Sequence, residues 1–210
     1  MIFDLDGVLV DSFAVMSEAF SVAYREVVGD GPAPFEEYRR YQGRYFPDIM
    51  RIMGLPLEME EPFVRESYRL AHRVPVFEGV VELLLTLRAR GFGLAVATGK
   101  SGERARSLLG TLGLLPFFAH VIGSDEVARP KPAPDIVERA LTLLGLSAEQ
   151  AIMVGDAPTD LASAHGAGVD SAAALWAVSD EEDALLAGRP TAVLRHPSDL
   201  LALCPSVPRG

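Results

Sequence analysis

From residue 79 onward the chain repeats one pattern: a short apolar run, then a longer stretch in which apolar positions recur every three or four residues. Short unbroken apolar runs suit strands buried on both faces, and the three-to-four spacing suits the helices that cover them. The pattern predicts strands over 92–97, 120–122, 151–154, 171–175 and 191–194. It predicts helices over 80–90, 102–112, 135–144, 159–167, 180–186 and 197–203, with Gly91, Gly113 and Gly145 where helices commonly stop. Residues 1–4 add one more short strand. Strands and helices in alternation build a parallel sheet clothed by helices, so the fold class is α/β with a Rossmann-like core.

Between residues 13 and 76 the strand pattern disappears and helical spacing takes over, in 13–28, 35–41, 47–53 and 60–72. Turn-rich breaks at 29–34 and 54–56 separate these stretches. An all-helical segment inserted between two parts of an α/β sheet reads as a cap domain. The expected organisation is therefore a core from 1–12 and 77–204, a cap from 13–76, and a flexible tail at 205–210, where no core pattern is present.

A chain of 210 residues with 49% apolar content can bury a core and carry an insertion of this size. Its one cysteine, Cys204, excludes an internal disulfide, fits a reducing cytoplasm, and reads as a core filler within the apolar run 200–204. The segment at Met1 lacks the basic-then-apolar pattern of an export leader, and every apolar run is far shorter than a membrane span, so the expectation is a cytoplasmic protein with no membrane partner. Net charge is −10, which argues against nucleic acid or an anionic membrane surface as partner. An anionic small molecule has then to be drawn in locally, by a divalent cation, a lysine and backbone amides at helix starts.

Four places have residues suited to such chemistry, each at the end of an expected strand. The first is Asp4-Leu5-Asp6-Gly7, followed by Asp11-Ser12. Two carboxylates two residues apart can divide the work of phosphoryl transfer: Asp4 as nucleophile, Asp6 as proton donor and later as base for water. Gly7 lets the chain bend sharply between them. An Asp-Gly turn that merely caps backbone amides is the plainer alternative. The second is Thr98-Gly99, a hydroxyl and an amide able to hold phosphoryl oxygens, or else an ordinary helix cap.

The third is Lys131 in Arg129-Pro130-Lys131-Pro132-Ala133-Pro134-Asp135, where three prolines fix the backbone around one ammonium group able to neutralise nucleophile and phosphate, a solvated loop lysine being the plainer alternative. The fourth is Gly155-Asp156-Ala157-Pro158-Thr159-Asp160. Magnesium takes oxygen ligands, and Asp156 can supply one while Asp160, a helical turn on, holds bound waters or Lys131. Helix capping is again the plainer reading.

These four stretches, DLDGVLVDS, TGK, RPKPAPD and GDAPTD, resemble the motifs of the haloacid dehalogenase-like hydrolases, and the likeness spans essentially the whole chain. The resemblance implies a phosphoryl group carried on Asp4, Asp6 as general acid and base, and Thr98, Gly99 and Lys131 gripping the phosphate. It implies Mg2+ held by Asp4, the main-chain carbonyl of Asp6, and Asp156, with Asp160 behind them. It also implies a C1-type helical cap, in which Tyr41-Gln42-Gly43-Arg44-Tyr45 resembles a specificity loop, with Arg44 as the substrate contact. A solvated arginine beside Arg39 and Arg40 is the alternative for Arg44. Tyr45 and Phe46 are expected near the pocket mouth.

More narrowly, DLDGVLVDSFAVM, RYFPDIMRIMGLP and TGKSGERARSLL resemble phosphatases associated with 3-amino-5-hydroxybenzoate synthesis, which implies a sugar or aminosugar phosphate as the small phosphorylated substrate. Phosphoglycolate phosphatase and phosphosugar mutase are the rivals on the same scaffold. Dehalogenase chemistry needs neither Asp6 nor a metal, so Asp6, Asp156 and Asp160 count against it. A non-catalytic partner protein is the rival of another class, and the intact set Asp4, Asp6, Thr98, Lys131 and Asp156 counts against that. His72, His120, His165 and His196 are scattered and carry no expected role.

Overall fold

The computed structural model describes residues 1–177 and 182–204. One parallel sheet is formed by β1 (Ile2–Phe3), β2 (Ala95–Ala97), β3 (His120–Ile122), β4 (Ile152–Gly155), β5 (Asp170–Ala174) and β6 (Ala192–Leu194). Their order is β3-β2-β1-β4-β5-β6. β1 is short but central, pairing Ile2 with Ala95 and Met153, and Phe3 with Val96 and Val154.

The chain leaves the sheet after β1 and forms α1 (Phe13–Val27), α2 (Phe35–Arg39), α3 (Phe46–Met53) and α4 (Glu60–Leu70) before it returns. These helices surround their own apolar cluster, in which Phe20, Phe63, Ile49 and Met50 are buried. Phe46 stacks on Phe63 with ring centroids 4.4 Å apart. The outgoing and returning connections run side by side: the Asp11 N–H donates to the Pro75 carbonyl at 2.9 Å, and the Phe77 N–H to the Leu9 carbonyl at 3.2 Å.

Alternate strand residues face opposite sides of the sheet, and different helices cover each side. α5 (Val80–Ala89) and α6 (Gly102–Thr111) pack Leu84, Leu87 and Leu109 on the side of Phe3, Val96 and Val154. α7 (Asp135–Leu144) and α8 (Pro158–Gly166) pack Ile136, Val137, Ala140 and Ala164 on the side of Ile2, Ala95, Ala97 and Met153. α9 (Glu182–Ala187) buries Leu185 against Leu161, Ala173 and Leu175. This is the α/β class expected from the alternation.

Some expected elements differ. Strand 92–97 is shorter because the Phe92 N–H donates back to the Leu87 carbonyl at 3.0 Å, so Phe92 closes α5 instead of joining the sheet. Segment 197–203 is a 3-10 helix, and its buried residues Pro197 and Leu200 are three apart, the repeat of that helix. Helix 60–72 ends at Leu70 and tightens into a 3-10 turn over Ala71–Arg73 before Pro75. The first two residues of expected helix 180–186, and the expected tail 205–210, lie outside the described residues. Among the described residues no helix is long and apolar enough to cross a membrane.

Neighbouring leucines on α5 make the packing testable. Leu84 is fully buried while Leu85 is 55% exposed. Leu84→Ala is expected to cost about 2–5 kcal/mol in urea denaturation, and Leu85→Ala less than about 0.5 kcal/mol.

Candidate active site

Strand order reverses around β1, and parallel sheets open a ligand crevice at the carboxyl ends of strands beside such a switch point. Both facing strand ends there carry an acid: Asp4 follows β1, and Asp156 follows β4. Gly7, with φ +76°, lets the chain turn away between them, and a Cβ at that position would stand 1.9 Å from Asp156 Oδ2. Only a glycine leaves room for the Asp156 carboxylate.

Lys131 reaches Asp4 from the proline-fixed loop before α7. Its side chain is fully buried, and its Nζ donates to Asp4 Oδ1 at 3.0 Å and Asp160 Oδ1 at 2.5 Å. The loop is closed at its ends by Arg129, which donates to Asp135 Oδ1 at 2.8 Å. The other oxygen of Asp160 accepts the Ala157 N–H at 3.1 Å, so this buried acid fixes both the lysine and the turn that presents Asp156.

Three carboxylates face one ammonium here. Oxygens of Asp4, Asp156 and Asp160 all lie within 4.8 Å of one another. Burial pushes the Asp4 carboxyl up from 3.8 to about 7, with Lys131 pulling it down and Asp160 and Asp6 pushing it further up. Burial and the neighbouring carboxylates also push Asp156 well above the carboxylate range. Burial opposes the Lys131 charge, but Asp160 and Asp4 more than offset it and hold the ammonium above the usual lysine range.

Asp6 is placed differently. Burial would raise its pKa, but Lys100 Nζ donates to its two oxygens at 2.7 and 2.6 Å and Ser12 Oγ donates to Oδ1, so it is held below the usual range. Lys100 is a site residue that sequence reasoning missed. It stands inside the TGK stretch, yet its target is 94 positions away in the chain, and only the fold brings the two together.

Thr98 is buried at the end of β2, and its Oγ1 accepts the Lys100 N–H at 3.2 Å, which leaves the hydroxyl proton free to donate. A Cβ on Gly99 would stand 2.6 Å from the Gly43 carbonyl oxygen and 2.9 Å from that of Arg44. Gly99 thus permits the close approach of the loop carrying Arg44, a reason for glycine that the sequence reading did not contain.

A cavity of about 320 Å³ opens above these groups. Asp4, Asp6, Thr98, Gly99, Asp156 and Arg44 all line it, and Phe46 does too. Tyr45 does not line it: it is the residue just ahead of α3, so its expected place at the pocket mouth is corrected. No histidine lines the cavity among the described residues, and Cys204 is buried with its Sγ against the Leu200 carbonyl at 3.2 Å.

A carboxylate at a switch point, clamped by a buried ammonium and faced by a second, separately held carboxylate, is an arrangement able to transfer a group through an acid oxygen. Residues 1–174 match the family of haloacid dehalogenase-like hydrolases. The chain is 35% identical over 207 residues to a probable phosphatase, IndB, of Dickeya dadantii, covering 92% of this chain and 88% of the relative. It is 33% identical over 208 residues to the pyrophosphatase PpaX of Bacillus pumilus, covering 97% and 94%. A haloacid dehalogenase-like family hydrolase from Streptococcus pneumoniae superposes with a TM-score of 0.82 at 25% identity, over 96% of each chain. The chain belongs to the haloacid dehalogenase-like hydrolases.

Removal of the shared ammonium has a definite cost. Lys131→Met leaves the buried Asp4 and Asp160 carboxylates without their shared counter-charge and is expected to destabilise the fold by about 3–5 kcal/mol in urea denaturation. Adding Asp160→Asn, which removes one of the stranded charges, should recover part of that loss.

Proposed function

We propose that this chain is a magnesium-dependent phosphomonoester hydrolase of the cytoplasm, acting on a small phosphorylated metabolite through a phosphoryl group carried on Asp4. The observation that supports this most is the Asp4 carboxylate, clamped by Lys131 at 3.0 Å and open to a cavity that Asp6 and Thr98 also line.

The residues fit a magnesium ion. Asp4, Asp156 and Asp160 outnumber the one ammonium among them, their donors are hard oxygens, and the space beside Gly7 is kept clear for Asp156. Asp4 and Asp156 would hold the ion directly, joined by the main-chain carbonyl of Asp6 as the family resemblance implies. Both oxygens of Asp160 are already engaged, by Lys131 and Ala157, which suits a supporting role. When bound, the ion supplies positive charge to the phosphoryl oxygens and offsets the crowded carboxylates.

Asp4 attacks phosphorus, the bond from phosphorus to the leaving oxygen breaks, and Asp6 gives that oxygen a proton. Thr98 and Gly99 hold phosphoryl oxygens, and Lys131 offsets charge on the nucleophile. Asp6, then ionised, takes a proton from water, whose oxygen attacks phosphorus and releases inorganic phosphate from Asp4. The Lys100 and Ser12 contacts seen here favour the ionised form of Asp6, the form that second step uses. Proton donation in the first step requires Asp6 to leave Lys100.

The helical segment 13–76 acts in this reading as a C1-type cap, bringing Gly43 and Arg44 onto Gly99 and excluding bulk water. Substrate choice lies among a sugar or aminosugar phosphate of 3-amino-5-hydroxybenzoate synthesis, phosphoglycolate and pyrophosphate. The first comes from motif resemblance, the second from the shared scaffold, and the third from the printed activity of the Bacillus relative. A phosphosugar mutase would return the phosphoryl group to a hydroxyl without releasing phosphate.

With magnesium present, Asp4→Asn is expected to lower phosphate release from an ester panel by about 1,000-fold or more, and turnover retained in that variant would contradict the mechanism. The pH dependence follows from the Asp4 shift, from 3.8 to about 7. A carboxyl whose folded pKa is raised binds more protons folded than unfolded, so the metal-free protein loses stability as pH rises through that window. Magnesium requires the ionised form, so its thermal stabilisation is expected to be greater at about pH 8 than at about pH 6. A melting-temperature shift that is equal at both pH values would contradict ligation by these acids.

A further inference from the structure

The cavity wall carries five cations, Arg39, Arg40, Arg44, Lys100 and Arg104, against four carboxylates, Asp4, Asp6, Asp11 and Asp156. This positive excess occurs in a chain of net charge −10. Lys100 is already engaged with Asp6, and Arg39 has Glu36 at 3.8 Å while lying 5.0 Å from the centre of the Phe13 ring.

Arg104, in the first turn of α6, is different. Its guanidinium lies 5.0 Å from the centre of the Phe63 ring, and its hydrogen bond goes to a neutral group, Ser67 Oγ, at 3.1 Å. Among the described residues no carboxylate pairs with it. Burial holds its pKa below the usual arginine value, with Tyr38 and then Asp6, Tyr68 and Glu60 pulling it back up. A partly buried guanidinium held over a ring face and by one hydrogen bond has a planar fork of donors preset for an oxyanion. Phe63 and Ser67 both belong to α4, so that fork sits where the helical segment meets the core, on the wall of the cavity that holds Asp4.

We propose that Arg104 is a specificity-determining residue that binds a second anionic group, carried on the leaving-group side of the substrate. The preferred substrates are then small phosphate esters or anhydrides whose leaving group bears its own carboxylate or phosphate. This rests on the phosphatase reading above. A cavity of about 320 Å³ stands at the small end of ligand pockets and suits such compact dianions. An aminosugar phosphate would bring an ammonium toward this cluster of positive charge and is disfavoured on that ground.

The test compares kcat/KM for phosphoglycolate and for pyrophosphate with that for ethyl phosphate, in the wild type, Arg104→Met and Arg104→Lys. The wild type should prefer a charged leaving group, and Arg104→Met should cut that preference by about 10–100-fold, with Arg104→Lys intermediate. Whichever substrate loses more, the carboxylate or the phosphate, identifies the group read. An equal loss on all three substrates would mean that Arg104 only clamps α6 to α4, and would overturn the proposal, as would a wild type without preference.

Equilibrium binding of the same compounds to the Asp4→Asn protein reads Arg104 without turnover. The charged leaving group should bind more tightly there, and adding Arg104→Met should erase the gain. Phosphate release insensitive to Asp4→Asn would overturn the phosphatase reading separately, because the binding comparison still decides the role of Arg104.

Discussion

Lys131 enters the core with no exposed side-chain surface and divides its charge between Asp4 at 3.0 Å and Asp160 at 2.5 Å. That contact ties together the end of β1, the start of α8 after β4 and the loop before α7, which the Ser163 hydroxyl also holds through the Ala133 carbonyl at 2.7 Å. Paired charges stripped of water depend strongly on one another, so each of these segments is held where the other two need it. The same arrangement leaves negative charge over, since Asp156 adds a further carboxylate to the cluster. A proton can take up that excess, as the raised Asp4 and Asp156 values indicate, or a divalent cation can.

The site thus joins two opposite electrostatic regions. Its floor is acidic and suited to a cation, while the wall formed by the helical segment and α6 is basic and suited to anions. With a divalent cation on the floor, a phosphate ester would suit both regions, its phosphoryl group facing the cation and the rest of the molecule the wall. The protein's overall negative charge does not oppose this, because a narrow cavity presents its own lining to the ligand ahead of the distant surface.

Much of this was legible in the sequence because the acids stand at fixed offsets from apolar runs. Asp4, Thr98 and Asp156 each follow a strand whose run is unbroken by polar residues, and Lys131 is marked by flanking prolines. Strand order was not legible, whereas the Lys131–Asp160 contact was one of the two roles expected for Asp160, holding bound waters or Lys131. Lys100 and Arg104 were missed for a shared reason: a lysine before a helix and an arginine in its first turn look like solvated charges until Asp6 and Phe63 are brought against them. Gly99 was read for its amide alone, whereas its contact with Gly43 depends on how the helical segment is seated. The 3-10 form of 197–203 was hidden because apolar residues three apart satisfy an α-helical pattern as well.

The central claim is that Asp4 carries the phosphoryl group between the two half-reactions. It is tested most directly by acid-quenching the enzyme during turnover with magnesium and mapping phosphoryl groups on its peptides by mass spectrometry. The account predicts a phosphoryl group on Asp4 that appears with substrate, disappears when substrate is exhausted, and is removed by borohydride as an acyl phosphate. Rapid turnover with Asp4 unmodified at every quench time, or with the group on another residue, would contradict it.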